Sequence, residues 1–249
     1  MSGSASWLLV DIGNSQIKWL QVHGSEVGTW GSQKSCARSG DALMASLTSA
    51  GVLPQELVIS SVADEDFNAK LAATFSTRGW PMPQFAASQS QQFGLTNSYS
   101  DPTRMGVDRW LAMLAAWCKT HNALIVVDAG TAVTIDVVGV NGMHMGGYIL
   151  PGVGLMEAAL TRDTQRVRFS DSAERSLLPG QSTAQCVTSG VWLAAHSAVQ
   201  AVLSRYPDYP VFITGGDGWA LMQMDIVAQW CPHLVLEGLF IHTQSHLKG

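Results

Sequence analysis

The chain has 249 residues, 47% of them hydrophobic and 13% charged, which is enough apolar content to bury one large core or two smaller ones. With 14 Lys and Arg against 19 Asp and Glu the net charge is -5, and no stretch gathers enough basic residues to follow a phosphate backbone, so no nucleic-acid partner is expected. The apolar run Trp7, Leu8, Leu9, Val10 stops at Asp11, and Gly, Pro or polar residues interrupt every longer hydrophobic segment, so neither export nor a membrane span is expected. Cys36, Cys118, Cys186 and Cys231 are widely separated, with no metal-ligand or disulfide spacing, which is the pattern of reduced thiols in the cytoplasm.

In chain order, residues 8–22 read as an apolar strand, an Asp-Ile-Gly-Asn turn at Asp11, and a returning β-rich strand. Residues 57–62 read as a further strand, 67–76 as a helix and 81–102 as loop-rich. Residues 107–119 carry Trp110, Leu111, Leu114 and Trp117 at helical spacing and open on Asp108, a carboxylate suited to the start of a helix. Residues 125–138 then repeat the opening pattern, with Asp128-Ala-Gly-Thr131 at the turn. The two aspartates lie nearly half the chain apart, which predicts two similarly folded lobes, 1–120 and 121–249. Residues 183–205 form a second long helical pattern with Thr183 as its N-cap, and 211–217 read as a buried strand ending in a glycine turn.

Phosphoryl transfer requires donors around the phosphates, a cation, and a carboxylate to orient the attacking hydroxyl. Asp11 and Asp128, on hairpins expected to face one another across a cleft, suit a cation, while Gly13, Asn14, Gly130 and Thr131 suit phosphates. Taken singly, either motif is also an ordinary hairpin turn; the pair, together with a third glycine turn at Gly215 and Gly216, favours the nucleotide reading. Asp108 and Arg109 can act as proton acceptor and carboxylate clamp, but on these residues alone the reading favoured is a helix cap beside a surface Arg. Residues 146–152 read as a close backbone approach or as a plain loop, and Lys18 as a phosphate ligand or a solvent-facing side chain. Arg162, Arg166 and Arg168 read as solvated surface, and His144 and His196 as packed or surface residues rather than metal ligands.

In order and spacing these motifs resemble those of the type III pantothenate kinases. Asp11-Ile-Gly-Asn-Ser15 resembles the first phosphate motif, Gly106-Val-Asp-Arg109 the substrate motif and Asp128-Ala-Gly-Thr131 the second phosphate motif; residues 146–152 and 213–217 also fit. The resemblance implies an α/β fold of two RNase H-like lobes with mixed sheets, the superfold shared by actin, sugar kinases and acetate kinases. It implies ATP-dependent phosphorylation of pantothenate to 4'-phosphopantothenate, the first step of coenzyme A biosynthesis. Asp108 would be the general base. Asp11, Gly13, Asn14, Ser15, Lys18, Gly130, Thr131, Gly215 and Gly216 would hold ATP, with Mg2+ at Asp11 and a monovalent cation, K+ or NH4+, at Asp128. Gly106, Val107, Arg109 and Tyr99 would line the pantothenate pocket, and Thr183 would reach substrate across the interface of a homodimer. Two other readings keep the same fold: a regulatory protein with accessory roles in transcription, and a kinase of another hydroxy acid or sugar.

Overall fold

The computed structural model describes residues 6–24, 26–34, 40–52, 54–163 and 174–244. The chain forms two compact units, one of residues 1–118 and 233–249, the other of residues 119–232.

The first unit begins with an antiparallel meander of β1 (Ser6–Ile12), β2 (Gln16–His23) and β3 (Glu26–Lys34). After α1 (Gly40–Ser49), β4 (Glu56–Ser61) pairs parallel to β1, and after α2 (Glu65–Thr77), β5 (Gln84–Phe85) pairs parallel to β4, giving the order β3-β2-β1-β4-β5. Strand alternation sends Leu8, Val10, Ile12, Ile17, Trp19, Leu57 and Ile59 to one face, where they form a core with Leu43, Met44 and Leu47 of α1 and Leu71 and Phe75 of α2. Each such side chain contributes about 1.5–3 kcal/mol on full burial. Asp64 starts α2 by accepting the Phe67 N–H at 2.8 Å. The loop-rich stretch contains a two-strand hairpin, β6 (Gln91–Gln92) and β7 (Leu95–Thr96), and a 3-10 turn at Pro102–Arg104; α3 (Val107–Thr120) follows with Trp110, Leu111 and Leu114 fully buried.

The second unit repeats the plan. β8 (Leu124–Ala129), β9 (Ala132–Val138) and β10 (His144–Pro151) form an antiparallel meander, followed by α4 (Val153–Asp163) and α5 (Thr183–Leu203). β11 (Val211–Thr214) then pairs parallel to β8 and, after α6 (Gly218–Met222), β12 (Gln229–Trp230) pairs parallel to β11; the order is β10-β9-β8-β11-β12. Ile125, Val127, Val133 and Ile135 meet Val191, Trp192, Ala195 and Val199 of α5 in one core. By length and composition alone α5 could cross a membrane, but 39% of that window is buried in the structure, where Val191, Trp192, Ala195 and Val199 join this core. Asp136 and His144 are buried together, Oδ1 to Nε2 at 3.0 Å, so His144 is a packed residue.

Three expectations shift. Both motif aspartates sit within their strands, Asp11 one residue and Asp128 one residue before the strand's end, rather than in the turns themselves. The cap of α5 is Ser182, whose Oγ accepts the Gln185 N–H at 3.3 Å, and Thr183 is the first helical residue. The division at 120 also differs at the chain's end, because the last helix, α7 (Leu234–Gln244), packs on β1, β2 and β4 rather than on the second sheet. Its Leu234, Leu236 and Leu239 are buried, and so are Leu9 and Val58 on the strand face turned away from α1 and α2. Cys36, Arg166 and Arg168 lie outside the described residues.

Candidate active site

The strand register of the first unit places Asp11 directly opposite Lys18 on β2 and Ser60 on β4, so the three side chains share one face of the sheet. Ser60, fully buried, donates its Oγ–H to Asp11 Oδ1 at 3.1 Å and fixes the carboxylate. Beyond Asp11 the Gly13 N–H donates to Gln16 O at 3.0 Å, which closes the turn and leaves Asn14 and Ser15 exposed at its tip. A carboxylate, an ammonium and a tip of polar donors thus come together at one end of the hairpin, a set suited to a polyphosphate with its cation. On β3, the exposed Trp30 ring lies against His233, with ring centres 4.8 Å apart and planes tilted by 54°. Burial, then the charge of Lys18, holds His233 below its ordinary pKa, with Glu237 opposing.

The start of α3 gathers the second group. Asp108 Oδ1 accepts the Arg109 N–H at 2.8 Å and lies over Gly106, where a β-carbon would come within 2.6 Å of that oxygen. Arg109 is only 7% exposed, and its Nη1 donates to the Tyr99 hydroxyl at 3.0 Å, with the guanidinium 5.9 Å from the centre of the Tyr99 ring. Tyr99 is itself anchored: Asn97 Oδ1 accepts the Tyr99 N–H at 3.0 Å, and Asn97 Nδ2 reaches back to Gln89 O at 3.3 Å. Ser88 completes the tether by donating to Met105 O at 2.9 Å, just ahead of Gly106 and Val107. A buried guanidinium with a fixed phenol beside it suits a small carboxylate, and the adjacent Asp108 suits a hydroxyl proton.

In the second unit Asp128 pairs across to Thr134 on β9 and to Thr214 on β11. The Gly130 N–H donates to Ala132 O and the Gly152 N–H to Thr131 O, both at 2.9 Å; residues 146–151 belong to strand β10 rather than to a loop, and the close approach is that of Gly152 to this turn of its own unit. Gly215 has φ +89°, and a β-carbon there would overlap Ala129 O and Asp128 Oδ1; only glycine lets the turn after β11 lie on the Asp128 carboxylate. Gly216 follows with open space above it. Asp128, Gly130, Thr131, Gly215 and Gly216 therefore meet in one place. Thr183 belongs instead to the face of α4 and α5, where with Met156, Leu160, Val187 and Val191 it lines a mostly apolar cavity of about 960 Å³.

Sequence reasoning found the charged members of these groups and missed Ser60, Ser88 and Asn97. The signal for them was weak but present: Ser60 is a polar residue inside an apolar strand, and Ser88 and Asn97 are the turn-forming types that tie loops.

Two α/β units that repeat one strand order, each with an aspartate near the end of its first strand and a glycine turn beyond it, define the actin-like ATPase superfold that sugar kinases share. A solved Sinorhizobium meliloti protein provisionally described as a 2-dehydro-3-deoxygalactonokinase superimposes with a TM-score of 0.62, covering 96% of this chain and 99% of that one; at 15% identity the likeness is one of fold alone. Within that class the chain belongs to the type III pantothenate kinase family, whose profile matches residues 7–205. It is 35% identical to the type III pantothenate kinase of Marinobacter nauticus over 236 residues, covering 93% of this chain and 96% of the relative. With that of Pseudomonas aeruginosa the identity is 38% over 243 residues, with the same coverage.

Proposed function

We propose that the protein is a pantothenate kinase that transfers the γ-phosphoryl group of ATP to the primary hydroxyl of pantothenate, yielding 4'-phosphopantothenate and ADP at the entry to coenzyme A biosynthesis in the cytoplasm. The observation that carries this reading is the buried Arg109 bonded to the Tyr99 hydroxyl at 3.0 Å with the Asp108 carboxylate beside it. Arg109 takes the substrate's carboxylate, and Asp108 accepts the proton of the attacking hydroxyl as its oxygen bonds to the γ-phosphorus and the bond to the β,γ-bridging oxygen breaks. Asp11, Gly13, Asn14, Ser15 and Lys18 on the hairpin of the first unit, and Gly130, Thr131, Gly215 and Gly216 in the second unit, are each suited to nucleotide phosphates; most of the catalysis is positioning.

Asp11 would hold magnesium and Asp128 a potassium or ammonium ion, and each ion would supply neutralising charge when bound. We also read the α4 and α5 face as a homodimer contact: Leu155, Leu160 and Leu193 of these helices are exposed, and Thr183 and Leu160 line the apolar cavity there. Thr183 would then reach pantothenate from the partner subunit.

The test is a coupled assay of ADP release with ATP, magnesium and pantothenate, run in potassium and again in sodium alone. Turnover that depends on potassium is expected. Folded protein that releases no ADP in either salt would overturn the reading, and equal rates in both would remove the cation from Asp128.

A further inference from the structure

Gln92 and His242 take no part in the reaction as written, yet both are buried, at 9% and 4% exposure, and they meet across 150 residues of sequence. Gln92 lies on β6, in the hairpin ahead of Tyr99, and His242 lies on α7. His242 Nδ1 is 3.0 Å from Gln92 Oε1, and Gln92 Nε2 reaches the His242 carbonyl at 3.5 Å. The second contact turns Oε1 toward the ring, so Nδ1 carries the hydrogen and donates it. Two apolar side chains would cover the sheet without the cost of burying polar groups, so the use of the pair lies in what it fixes.

The helix that carries His242 also touches the other half of the pantothenate pocket. Gly238 stands one turn before His242 on the same face of α7, and a β-carbon there would overlap the Leu111 carbonyl oxygen, two residues beyond Arg109. Thus α7 rests on the α3 backbone at Gly238 and grips the hairpin of β6 and β7 at His242. From Gln92 the constraint runs forward through bonds of fixed length. The Asn97 N–H donates to Ser90 O at 2.9 Å and closes the hairpin, Asn97 Oδ1 accepts the Tyr99 N–H, and the Tyr99 hydroxyl meets Arg109. The tip of the hairpin is clamped as well: Phe93 has φ 49°, unfavourable for a bulky residue, and its carbonyl accepts the Trp117 Nε1–H at 3.1 Å.

We propose that His242, acting through Gln92, is a positioning residue for pantothenate: it holds the hairpin so that the Tyr99 hydroxyl and the Arg109 guanidinium keep the spacing that the substrate's carboxylate requires. The inference rests on the reading of Tyr99 and Arg109 as the pantothenate pocket. α7 then registers two separate segments of that pocket, α3 and the loop after β7, against one another. Asp108 and the hairpin of Asp11 and Lys18 do not depend on this spacing, so the pair acts on pantothenate binding rather than on turnover.

The experiment measures kcat and the KM values for pantothenate and ATP in three variants. Gln92→Met and His242→Phe break the bond from either side at similar volume, and His242→Asn offers an amide nitrogen where Nδ1 stood. Each is repeated on a Tyr99→Phe background, with circular dichroism and Tm following the fold. Breaking the bond should raise KM for pantothenate about fivefold, the order of one net hydrogen bond, with kcat and KM for ATP near the wild-type values. His242→Asn should restore KM for pantothenate. On the Tyr99→Phe background the breaking variants should add no further rise, because the hydroxyl they position is gone.

An unchanged KM for pantothenate in the breaking variants overturns the proposal. So does an equal rise of both KM values, which marks a general loosening of the unit, and so does a full further rise on the Tyr99→Phe background, which marks a route other than Tyr99. If His242→Asn behaves as His242→Phe does, or if both breaking variants fail to fold, the pair serves packing and the proposal falls. A wild type that neither binds nor phosphorylates pantothenate removes the reaction proposed above and this inference with it, whereas an active wild type with indifferent variants removes this inference alone.

Discussion

Asp108 is the residue whose chemistry is most easily isolated, because Asp108→Asn removes the proton acceptor while nearly conserving volume and the contact to the Arg109 N–H is one an amide oxygen can keep. The variant is expected to lose about 10²–10⁴ in kcat, measured by ADP release, with nucleotide binding and the circular dichroism spectrum retained. Asp217 makes a different, pH-dependent prediction. Burial raises its folded pKa, so the folded chain keeps this proton to higher pH than the unfolded chain; the associated stability is full below the unfolded value of about 3.9 and is lost as pH rises through the folded one. Asp217→Asn should therefore raise the unliganded Tm at neutral pH, and the gain should vanish in acid below the ordinary Asp range. An equal gain at both ends of that range would show that its charge is not the cause. Asp11, Asp108, Arg109 and Asp128 were legible in the sequence as candidates through the pairing and order of their motifs, since taken singly each also reads as an ordinary turn or helix cap. Ser60 and Asn97 were not, since their roles exist only through Asp11 and Tyr99, the partners that folding brings to them.

At the scale of elements, periodicity read the strands around Asp11 and Asp128, the helix α3 and the helix α5 to within a few residues, because each combines a clear apolar pattern with a breaker. The start of α5 shows where such reading stops: Ser182 and Thr183 are both good capping residues, and only the backbone decides that Ser182, at φ −138° and ψ 163°, accepts the Gln185 N–H. Ser182→Ala should cost about 1 kcal/mol in denaturant unfolding, whereas Thr183→Ala should cost little stability and instead weaken pantothenate binding. The reverse ranking of the two stabilities would refute the assignment of the cap. α7 had no such signature, since Leu234, Val235, Leu236 and Leu239 are apolar without a polar face to orient them, and the sequence does not say which sheet they cover.

For the molecule as a whole, the internal echo was a sound guide to architecture: the repeated Asp-x-Gly hairpins head two sheets of identical strand order. The exposed leucines of α4 and α5 yield a prediction at this scale. Light scattering should find the wild type dimeric and a Leu160→Glu, Leu193→Glu double variant monomeric, with KM for pantothenate raised in the monomer; a monomeric wild type would remove the interface. The return of the chain to its first unit at His233 bears on how the protein is made. Residues 119–232 form a compact unit from one continuous stretch, while the sheet that carries Asp11 is completed by α7, which follows that stretch in sequence and covers β1, β2 and β4. A chain cut short before residue 233 would keep every strand of the second sheet but leave the side of the first sheet that α7 covers, with Leu9 and Val58, exposed, which favours capture by chaperones and proteases.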